Sequence, residues 1–270
     1  MILDLEDAVP MQAKEEARKN IKENIGNFKK ADLSVFVRVN SLETGLTNAD
    51  LNVVMDKGLD GIILSKTETD EEIYSVDAMI KEHETSLGLK IGQVKIVPLI
   101  ESARGVMHIY AIAKSNLRIN AVAFGAGDYL RDIGLDIASV SQDQSELLYA
   151  RSLIVNTCKA IGIIPIDTPY LLSLKDTERF MNEVAIARRL GFSGKQCIHP
   201  NQIAPINQTF SPSEEQVAYS LRLVAAFEEA VKLGIGAVSF EGKMIDRMSY
   251  AQAKQLLAKK KEISERKNIQ

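Results

Sequence analysis

The chain has 270 residues, of which 46% are hydrophobic and 26% charged, and its formal net charge is −3. Such a length can bury a large core, and a single barrel domain can reach it. The slightly acidic balance argues against a nucleic-acid surface but leaves room for a basic pocket that binds a phosphorylated ligand. No apolar stretch approaches the roughly 20 residues that span a bilayer, so we expect no membrane segment. The two cysteines, Cys158 and Cys197, lack metal-like spacing and favour a reducing, cytoplasmic compartment.

Short apolar runs alternate along the chain with longer amphipathic patterns. Each run has the length of a strand that is buried on both faces, which need not alternate polar with apolar residues. The predicted strands are residues 2–5, 35–39, 61–64, 96–100, 121–124, 163–167 and 195–198. Apolar residues at three- and four-residue spacing predict a first helix with a face formed by Ala13, Ala17, Ile21, Ile25 and Phe28. The same spacing predicts a later helix that contains Leu147, Ile154, Val155 and Cys158.

The repeated strand–helix order predicts a parallel sheet with right-handed crossovers. We therefore expect an α/β fold of the TIM type, a (β/α)8 barrel. Only seven of the eight strands that close such a barrel can be counted in the sequence. A doubly wound open sheet is the alternative, and the lack of a glycine-rich phosphate loop after the first strand weakens it.

The pattern changes near residue 210. Ser213-Glu214-Glu215-Gln216 has the form of a capping box, which predicts the start of a long helix that ends at about Lys232. A loop and a final helical stretch follow. The sequence thus predicts a barrel domain over residues 1–210 and a C-terminal helical extension over residues 211–270.

Polar residues stand where the predicted strands end, and chemistry in parallel α/β folds gathers at these carboxyl ends. In chain order they are Glu6, Asp7, Arg38, Asn40, Lys66, Glu101, Asp128, Asp167 and His199. Glu101 directly follows an apolar strand, and Asp128 follows the next one beyond two glycines that allow a tight turn. Two carboxylates on neighbouring strands, with no His/Cys cluster nearby, suit Mg²⁺. The alternative is a pair of loop acids that face solvent.

Arg38 ends a hydrophobic strand, where a buried charge requires a partner. Its forked guanidinium matches a substrate carboxylate or enolate, and the alternative is an internal salt bridge to Glu6 or Glu101. The carboxylates of Glu6 and Asp7 suit two roles equally, as acceptors for metal-bound water or as caps of the following helix.

Several motifs in combination resemble the citrate lyase beta-subunit and malyl-CoA lyase family of the HpcH/HpaI aldolase superfamily. They are LDLEDAVP with downstream Lys14 and Arg18, VRVNS, GIILSKTE, VPLIESARGV, FGAGDYLRDIG, GKQCIHPNQI and the late GKMID. The resemblance runs along nearly the whole chain. It implies a TIM-type barrel, a Mg²⁺ ion, a CoA thioester substrate, and cleavage or formation of a carbon–carbon bond next to a carboxylate.

The resemblance also implies residue roles. Glu101 and Asp128 match the metal ligands, and Glu101 lies in the substrate-binding site as well. Arg38 matches a catalytic arginine that binds the carboxylate or carbonyl oxygens of the substrate.

Three further residues acquire roles in the same way. Asp246 matches a catalytic acid on a C-terminal segment that covers the site of a neighbouring subunit in relatives. His199 and Pro200 lie where relatives contact the substrate near its CoA portion. The implied assembly is a homotrimer or hexamer, with citrate lyase alpha and gamma subunits as further partners.

Relatives carry a strand and a helix before the DLEDAV strand, and that unit has no counterpart here. The resemblance leads us to expect a start site assigned too late, or a truncated gene, rather than a genuine seven-stranded variant. The absent strand would be the eighth of the barrel.

The implied function is that of a Mg²⁺-dependent acyl-CoA lyase, with cleavage of citryl-CoA to oxaloacetate and acetyl-CoA as the leading prediction. Malyl-CoA lyase and citramalyl-CoA lyase are alternatives because the keto acid products differ only in a small group. A malyl-CoA thioesterase and an inactive, truncated family member are the remaining alternatives.

Overall fold

The computed structural model describes residues 1–173 and 175–267. The chain divides into two compact units, residues 1–202 and the residues from Ile203 onward. The first unit contains a sheet of seven parallel strands whose spatial order follows the chain. The strands are β1 (Ile2–Asp4), β2 (Phe36–Val39), β3 (Gly61–Leu64), β4 (Lys95–Ile100), β5 (Ala121–Phe124), β6 (Ile164–Asp167) and β7 (Gly194–Lys195).

Helices connect these strands, as the sequence predicts. They are α1 (Lys14–Lys30), α2 (Thr47–Val54), α3 (Asp70–Leu87), α4 (Ala103–Lys114), α5 (Ala126–Asp132), α6 (Ser145–Ile161) and α7 (Thr177–Leu190). Because the strand order never reverses, the sheet has no switch point of the kind that defines a doubly wound fold. That alternative is therefore excluded.

The sheet forms an open, curled half-barrel rather than a closed barrel. Within the described residues, β1 pairs with β2 and β7 pairs with β6, while β1 and β7 do not pair with each other. The α/β class and the seven strands are thus confirmed, whereas a complete eight-stranded barrel is not what these residues form.

Both faces of the sheet are apolar, as expected for strands covered on two sides. One face carries a core cluster that consists of Ile63, Val97, Leu99, Ala121 and Ala123. A mainly apolar cavity of about 210 Å³ adjoins this cluster. The alternating residues Ile62, Ile96 and Val122 are fully buried on the other face.

The predicted bounds of the seventh strand are wrong. The ladder ends at Lys195, and the N–H of Gln196 makes one more bond, to the carbonyl oxygen of Asp167 at 2.9 Å. The chain then turns, because the N–H of Ile198 donates to the side-chain Oε1 of Gln202 at 3.0 Å. The side-chain amide of Gln202 thus accepts the N–H of Ile198, which was expected to bond to a neighbouring strand.

Two charged residues lie on the buried face of α1, a position that the predicted apolar face does not include. Lys14 Nζ donates to the carbonyl oxygen of Leu5 at 2.7 Å and to Oδ1 of Asn40 at 2.8 Å. Arg18 Nε donates to Oδ1 of Asp50, also at 2.8 Å. Since buried charges are tolerated only when paired, this network holds the carboxyl ends of β1 and β2 in place.

The second unit contains α8 (Ile203–Phe210), α9 (Glu214–Lys232), β8 (Val238–Phe240), β9 (Lys243–Ile245) and α10 (Arg247–Lys267). The predicted capping box is confirmed, with Ser213 and Gln216 bonding reciprocally at the start of α9. The predicted loop is wrong in part, because β8 and β9 form an antiparallel hairpin. Its two turn residues, Glu241 and Gly242, both have positive φ, as a type I′ turn requires.

In the part of the chain that the structure describes, no helix combines the length and apolar content needed to cross a bilayer.

Candidate active site

A polar cavity of about 300 Å³ lies at the carboxyl ends of β3, β4 and β5. Its lining is strongly acidic and consists of Glu43, Lys66, Glu68, Glu72, Glu101, Ser102, Asp128, Arg131 and Asp132. Both predicted metal ligands, Glu101 and Asp128, are among these residues. The alternation of parallel strands and helices brings them together, because each follows one of two adjacent strands.

Glu101 is a buried carboxylate with few compensating donors. Its Oε2 accepts the backbone N–H of Lys66 at 3.0 Å. Burial raises its pKa to about 8; the bond from Lys66 acts in the opposite direction, while the charges of Glu6 and Asp128 add to the rise. A cation placed beside a carboxyl group with such a raised pKa stabilises its ionised form.

Gly125 explains how Glu101 reaches this position. A Cβ added at Gly125 would lie 2.5 Å from Glu101 Oε1, so the carboxylate occupies the space that a side chain would fill. Gly125 has an ordinary negative φ of −117°. The glycine therefore serves a close approach rather than the tight turn that the sequence predicts.

Asp128 lies in the first turn of α5 with 17% of its side chain exposed. Its Oδ1 accepts a bond from Arg131 at 2.7 Å, and its Oδ2 lies 3.9 Å from Lys66 Nζ. Arg131 is 80% exposed, so this pair is solvated and weak.

Lys66 has an unusual backbone and a central position in the site. Its φ is +50°, in the left-handed region that non-glycine residues seldom adopt. Its ammonium group lies 3.0 Å from Glu6 Oε1 and 3.7 Å from Asp7 Oδ1. Burial lowers its pKa, but the bond to Glu6 and the surrounding carboxylates outweigh burial and raise it. The sequence places Lys66 at a strand end but assigns it no role.

Arg38 is engaged by acids of β1 and of the loop that follows it. Its Nε and Nη2 donate to the two carboxylate oxygens of Asp4 at 2.7 and 2.6 Å, and its Nη1 lies 3.0 Å from Glu6 Oε2. Although burial alone would lower the pKa of Arg38, these partners raise it. This is the internal salt bridge that the sequence left open, with Asp4 as the principal partner.

The donor set fits Mg²⁺, which prefers oxygen ligands and often takes one or two carboxylates. Glu101 and Asp128 supply those oxygens, and the buried Glu6 Oε2 forms the ion pair with Arg38 at 3.0 Å but accepts no hydrogen bond from the described residues. Across those residues no three or more His, Cys, Asp or Glu side chains form a ready-made metal cluster.

The remaining predicted site residues do not line this cavity in the described part of the chain. His199 and Pro200 lie in the turn after β7, where the N–H of Asn201 donates to His199 Nδ1 at 3.2 Å. Asp246 belongs to the second unit and is exposed. Its Oδ1 accepts bonds from the N–H and the hydroxyl of Ser249 at 2.9 and 3.0 Å.

Asp167 also follows a strand, yet its partners make it structural. It is fully buried between Arg151 and Lys195, with contacts of 2.9 and 2.8 Å. Burial alone would raise its pKa, but the two cations lower it. The sequence offered no signal for this pairing, since the cations lie 16 and 28 residues away.

Comparisons with known proteins relate this chain to one family. The family model described as HpcH/HpaI aldolase/citrate lyase matches residues 1–200. The chain is 33% identical over 257 residues to citrate lyase subunit beta of Leuconostoc mesenteroides subsp. cremoris, a match that covers 95% of this chain and 84% of that protein. It is 34% identical over 276 residues to the mitochondrial citramalyl-CoA lyase of Rattus norvegicus, covering 98% and 80%.

A solved structure is similar over the same extent. The CitE protein of Mycobacterium tuberculosis, in complex with magnesium, acetoacetate and coenzyme A, superposes with a TM-score of 0.75 at 26% identity. The match covers 96% of this chain and 88% of that one.

Proposed function

The chain belongs to the HpcH/HpaI aldolase/citrate lyase family, and from this premise we propose that it cleaves citryl-CoA to oxaloacetate and acetyl-CoA with Mg²⁺ at Glu101 and Asp128. It is a carbon–carbon lyase, as are its relatives named citrate lyase subunit beta and citramalyl-CoA lyase. The substrate and the metal are the proposed elements. The observation that carries them is the acidic cavity that Glu101 and Asp128 line together at the strand ends.

Glu101 and Asp128 hold the metal in this proposal. When bound, Mg²⁺ supplies a Lewis acid that polarises a substrate oxygen and stabilises negative charge on it. Glu101 is pre-positioned for this role by the N–H of Lys66 and by the space over Gly125. The CitE structure that holds magnesium, acetoacetate and coenzyme A supports the metal and the thioester class by similarity.

Cleavage converts the substrate hydroxyl into a keto group while the carbon–carbon bond breaks. The hydroxyl proton goes to a base, the bonding electron pair goes to the acetyl-CoA fragment as an enolate, and that enolate then takes up a proton. We assign both proton transfers to Asp246. Its carboxylate is ionised at neutral pH, as the first transfer requires, and its bonds from Ser249 lower its pKa below the ordinary value. Arg38 adds positive charge near Glu101 and keeps the buried Glu6 compensated.

Asp246 acts in the cavity of a neighbouring subunit in this proposal, which requires a homo-oligomer such as a trimer or hexamer. A mixture of Asp246→Asn and Glu101→Gln proteins, dissociated and reassembled together, should recover activity that neither parent has. Citrate lyase alpha and gamma subunits are the proposed partners in a complex, on the strength of the beta-subunit relative. If the mixed assemblies remain as inactive as the parents, Asp246 does not act across subunits.

Citramalyl-CoA is the second candidate substrate, since the two relatives match this chain about equally well. The test supplies citryl-CoA, malyl-CoA and citramalyl-CoA separately with Mg²⁺ and identifies the products by mass spectrometry. The proposal expects oxaloacetate and acetyl-CoA from citryl-CoA, with the highest kcat/KM of the three. A free hydroxy acid with CoA, and no keto acid, would instead indicate a thioesterase. No turnover of any thioester by a folded protein would contradict the proposed function and favour the inactive alternative.

A further inference from the structure

The helix that carries Asp128 has no side-chain cap of its own. α5 is seven residues long, and Gly125 at its N-cap offers no side chain to the free N–H groups of the first turn. Asp128 lies in that turn, where an acidic side chain can bond back to a free backbone N–H. Within the described residues, however, its carboxylate is bonded to Arg131 and accepts no N–H from α5. The start of α5 therefore depends on an acceptor from another element.

Thr168 supplies that acceptor from the adjacent strand. The N–H of Ala126, the first residue of α5, donates to Oγ1 of Thr168 at 3.0 Å. Ala126 is 3% exposed and Thr168 is 2% exposed. β5 and β6 are parallel neighbours, which places the residue after β6 beside the end of β5. Because both groups are buried, loss of the hydroxyl would leave a buried N–H without its partner.

The turn between β5 and α5 is held from its other side as well. The N–H of Gly125 donates to the carbonyl oxygen of Ile100 at 2.9 Å. Ile100 ends β4 and directly precedes Glu101. Two successive N–H groups, those of Gly125 and Ala126, thus bind the turn to the strands on either side of it. Since Glu101 follows one of these anchor points and Asp128 follows the turn, we expect the two bonds to fix the backbone distance between the two acids.

Thr168 is itself held in place by the buried ion pairs of the residue before it. Asp167 is fully buried between Arg151 and Lys195, at 2.9 and 2.8 Å. Glu183 faces both of these cations from α7. A threonine attached to such a network has little conformational freedom, so its hydroxyl is a fixed point. The structural network at the end of β6 thus continues through one hydrogen bond to the helix of a proposed metal ligand.

We infer that Thr168 is a positioning residue for the metal site, which caps α5 from outside and so places the carboxylate of Asp128 beside that of Glu101. The inference rests on the proposed function and adds to it a residue that does not line the cavity in the described part of the chain. Because Thr168 bonds to the backbone of α5, the side chain of Asp128 need not cap its own helix and is left for the ion.

Thr168→Val is the decisive variant, because it keeps the shape of the side chain and removes the acceptor of the Ala126 N–H. Thr168→Ser keeps the oxygen and tests rescue. Thr157→Val is the matched control, since Thr157 is a buried threonine of α6 that does not line the cavity. Circular dichroism and thermal melting establish that each variant is folded. Hydrogen exchange of the Ala126 amide, followed by NMR in the metal-free protein, reports the bond itself.

The principal measurement is the Mn²⁺ affinity of the metal-free protein, by calorimetry. Thr168→Val should weaken Mn²⁺ binding by about 10-fold, the lower end of the range for residues that orient metal ligands. Its Ala126 amide should exchange faster than that of the wild type. Thr168→Ser should recover most of both losses, and Thr157→Val should leave both quantities unchanged.

Mn²⁺ affinity of folded Thr168→Val within about twofold of the wild type would overturn the inference. An equal loss in Thr157→Val or in Thr168→Ser would also overturn it, because the effect would then not depend on the acceptor at Thr168. Fast exchange of the Ala126 amide in the wild type would do the same, whether or not Thr168→Val folds. Absence of Mn²⁺ binding by the folded wild type is a separate result, seen before any variant is compared, and would overturn the proposed metal site together with the inference.

Discussion

Glu101 directly follows a buried strand and Asp167 ends another, and the pKa values of these two carboxylates are shifted in opposite directions. Asp167 is fully buried between Arg151 and Lys195, which hold its pKa low. Glu101 is almost as buried, yet its pKa rises to about 8, because burial and the charges of Glu6 and Asp128 outweigh the backbone N–H of Lys66 and the nearby charge of Arg38. Burial therefore does not distinguish a structural acid from a functional one, whereas the supply of positive charge does.

Of the changes predicted from this comparison, the largest is the loss of stability on removal of the charge of Asp167, which is paired with buried cations. Asp167→Asn removes one of the two acids that face the buried Arg151 and Lys195 and leaves Glu183 as the other, and should lower the free energy of unfolding by about 3–5 kcal/mol. Urea denaturation measures this change. Asp56→Asn is the matched control, because Asp56 pairs with Lys22 at a half-exposed position and should cost less than about 1 kcal/mol. Equal losses of stability from Asp167→Asn and Asp56→Asn would contradict the structural role of Asp167.

Glu101→Gln should have the converse effect. Because a pKa of about 8 keeps Glu101 largely protonated in the metal-free protein at neutral pH, the neutral glutamine should leave that protein as stable as the wild type or more so. Turnover that depends on Mg²⁺ should fall by at least about 100-fold, the usual scale for loss of a group that stabilises charge in the transition state. Paired urea denaturation and steady-state kinetics test both halves. A destabilisation as large as that of Asp167→Asn would show that Glu101 is structural.

The pH dependence of stability sharpens the comparison further. The folded pKa of Glu101, about 8, lies above the unfolded value of roughly 4.3, so the folded state holds a proton that the unfolded state has lost. Its contribution is present below roughly pH 4.3 and is lost progressively as pH rises to about 8 in metal-free protein. Asp167, with a lowered pKa, contributes stability above roughly pH 3.9 that is lost on further acidification.

Chemical denaturation of metal-free wild type and Glu101→Gln at pH values on both sides of about 8 checks the first of these effects. The wild type should lose stability over this range relative to the variant. If stability depends on pH in the same way for both proteins, ionisation of Glu101 does not destabilise the folded state.

The smallest predicted effect concerns the cysteines and applies the same rule to a thiol. Burial raises the pKa of Cys158 to about 12, whereas Cys197 is exposed. A thiol reagent at neutral pH should therefore modify Cys197 in the native protein and reach Cys158 only in denaturant, because the thiolate is the reactive form. Mass spectrometry of labelled peptides identifies the site. Equal labelling of both thiols in the native state would contradict the burial of Cys158.

The sequence predicts the sheet well because each strand is a short apolar run, and it predicts the α9 capping box because that signal is local. It misses the hairpin turn, since glutamate is uncommon at a position with positive φ, although Gly242 was a usable cue. It places Glu101 and Asp128 on neighbouring strand ends, which the structure brings into one cavity.

Long-range pairing accounts for what could not be predicted. The partners of Arg38 and Lys66 lie between 32 and 62 residues away along the chain, and nothing local in VRVNS or GIILSKTE identifies them. The buried role of Lys14 and Arg18 is hidden for the same reason, because an amphipathic pattern assigns charged residues to the solvent face. The sequence does place Lys66 near the end of β3, two residues after Leu64, but nothing in it identifies the acids around the ammonium group.

Metal binding tests the central claim most directly. Calorimetric titration of Mn²⁺ and Mg²⁺ into the metal-free wild type should give one site per chain. Glu101→Gln and Asp128→Asn should each weaken it by at least about tenfold, while Asp56→Asn should leave it unchanged. Wild-type affinity in the Glu101→Gln and Asp128→Asn variants, or no binding by the folded wild type, would contradict the assignment of these two carboxylates as the metal site.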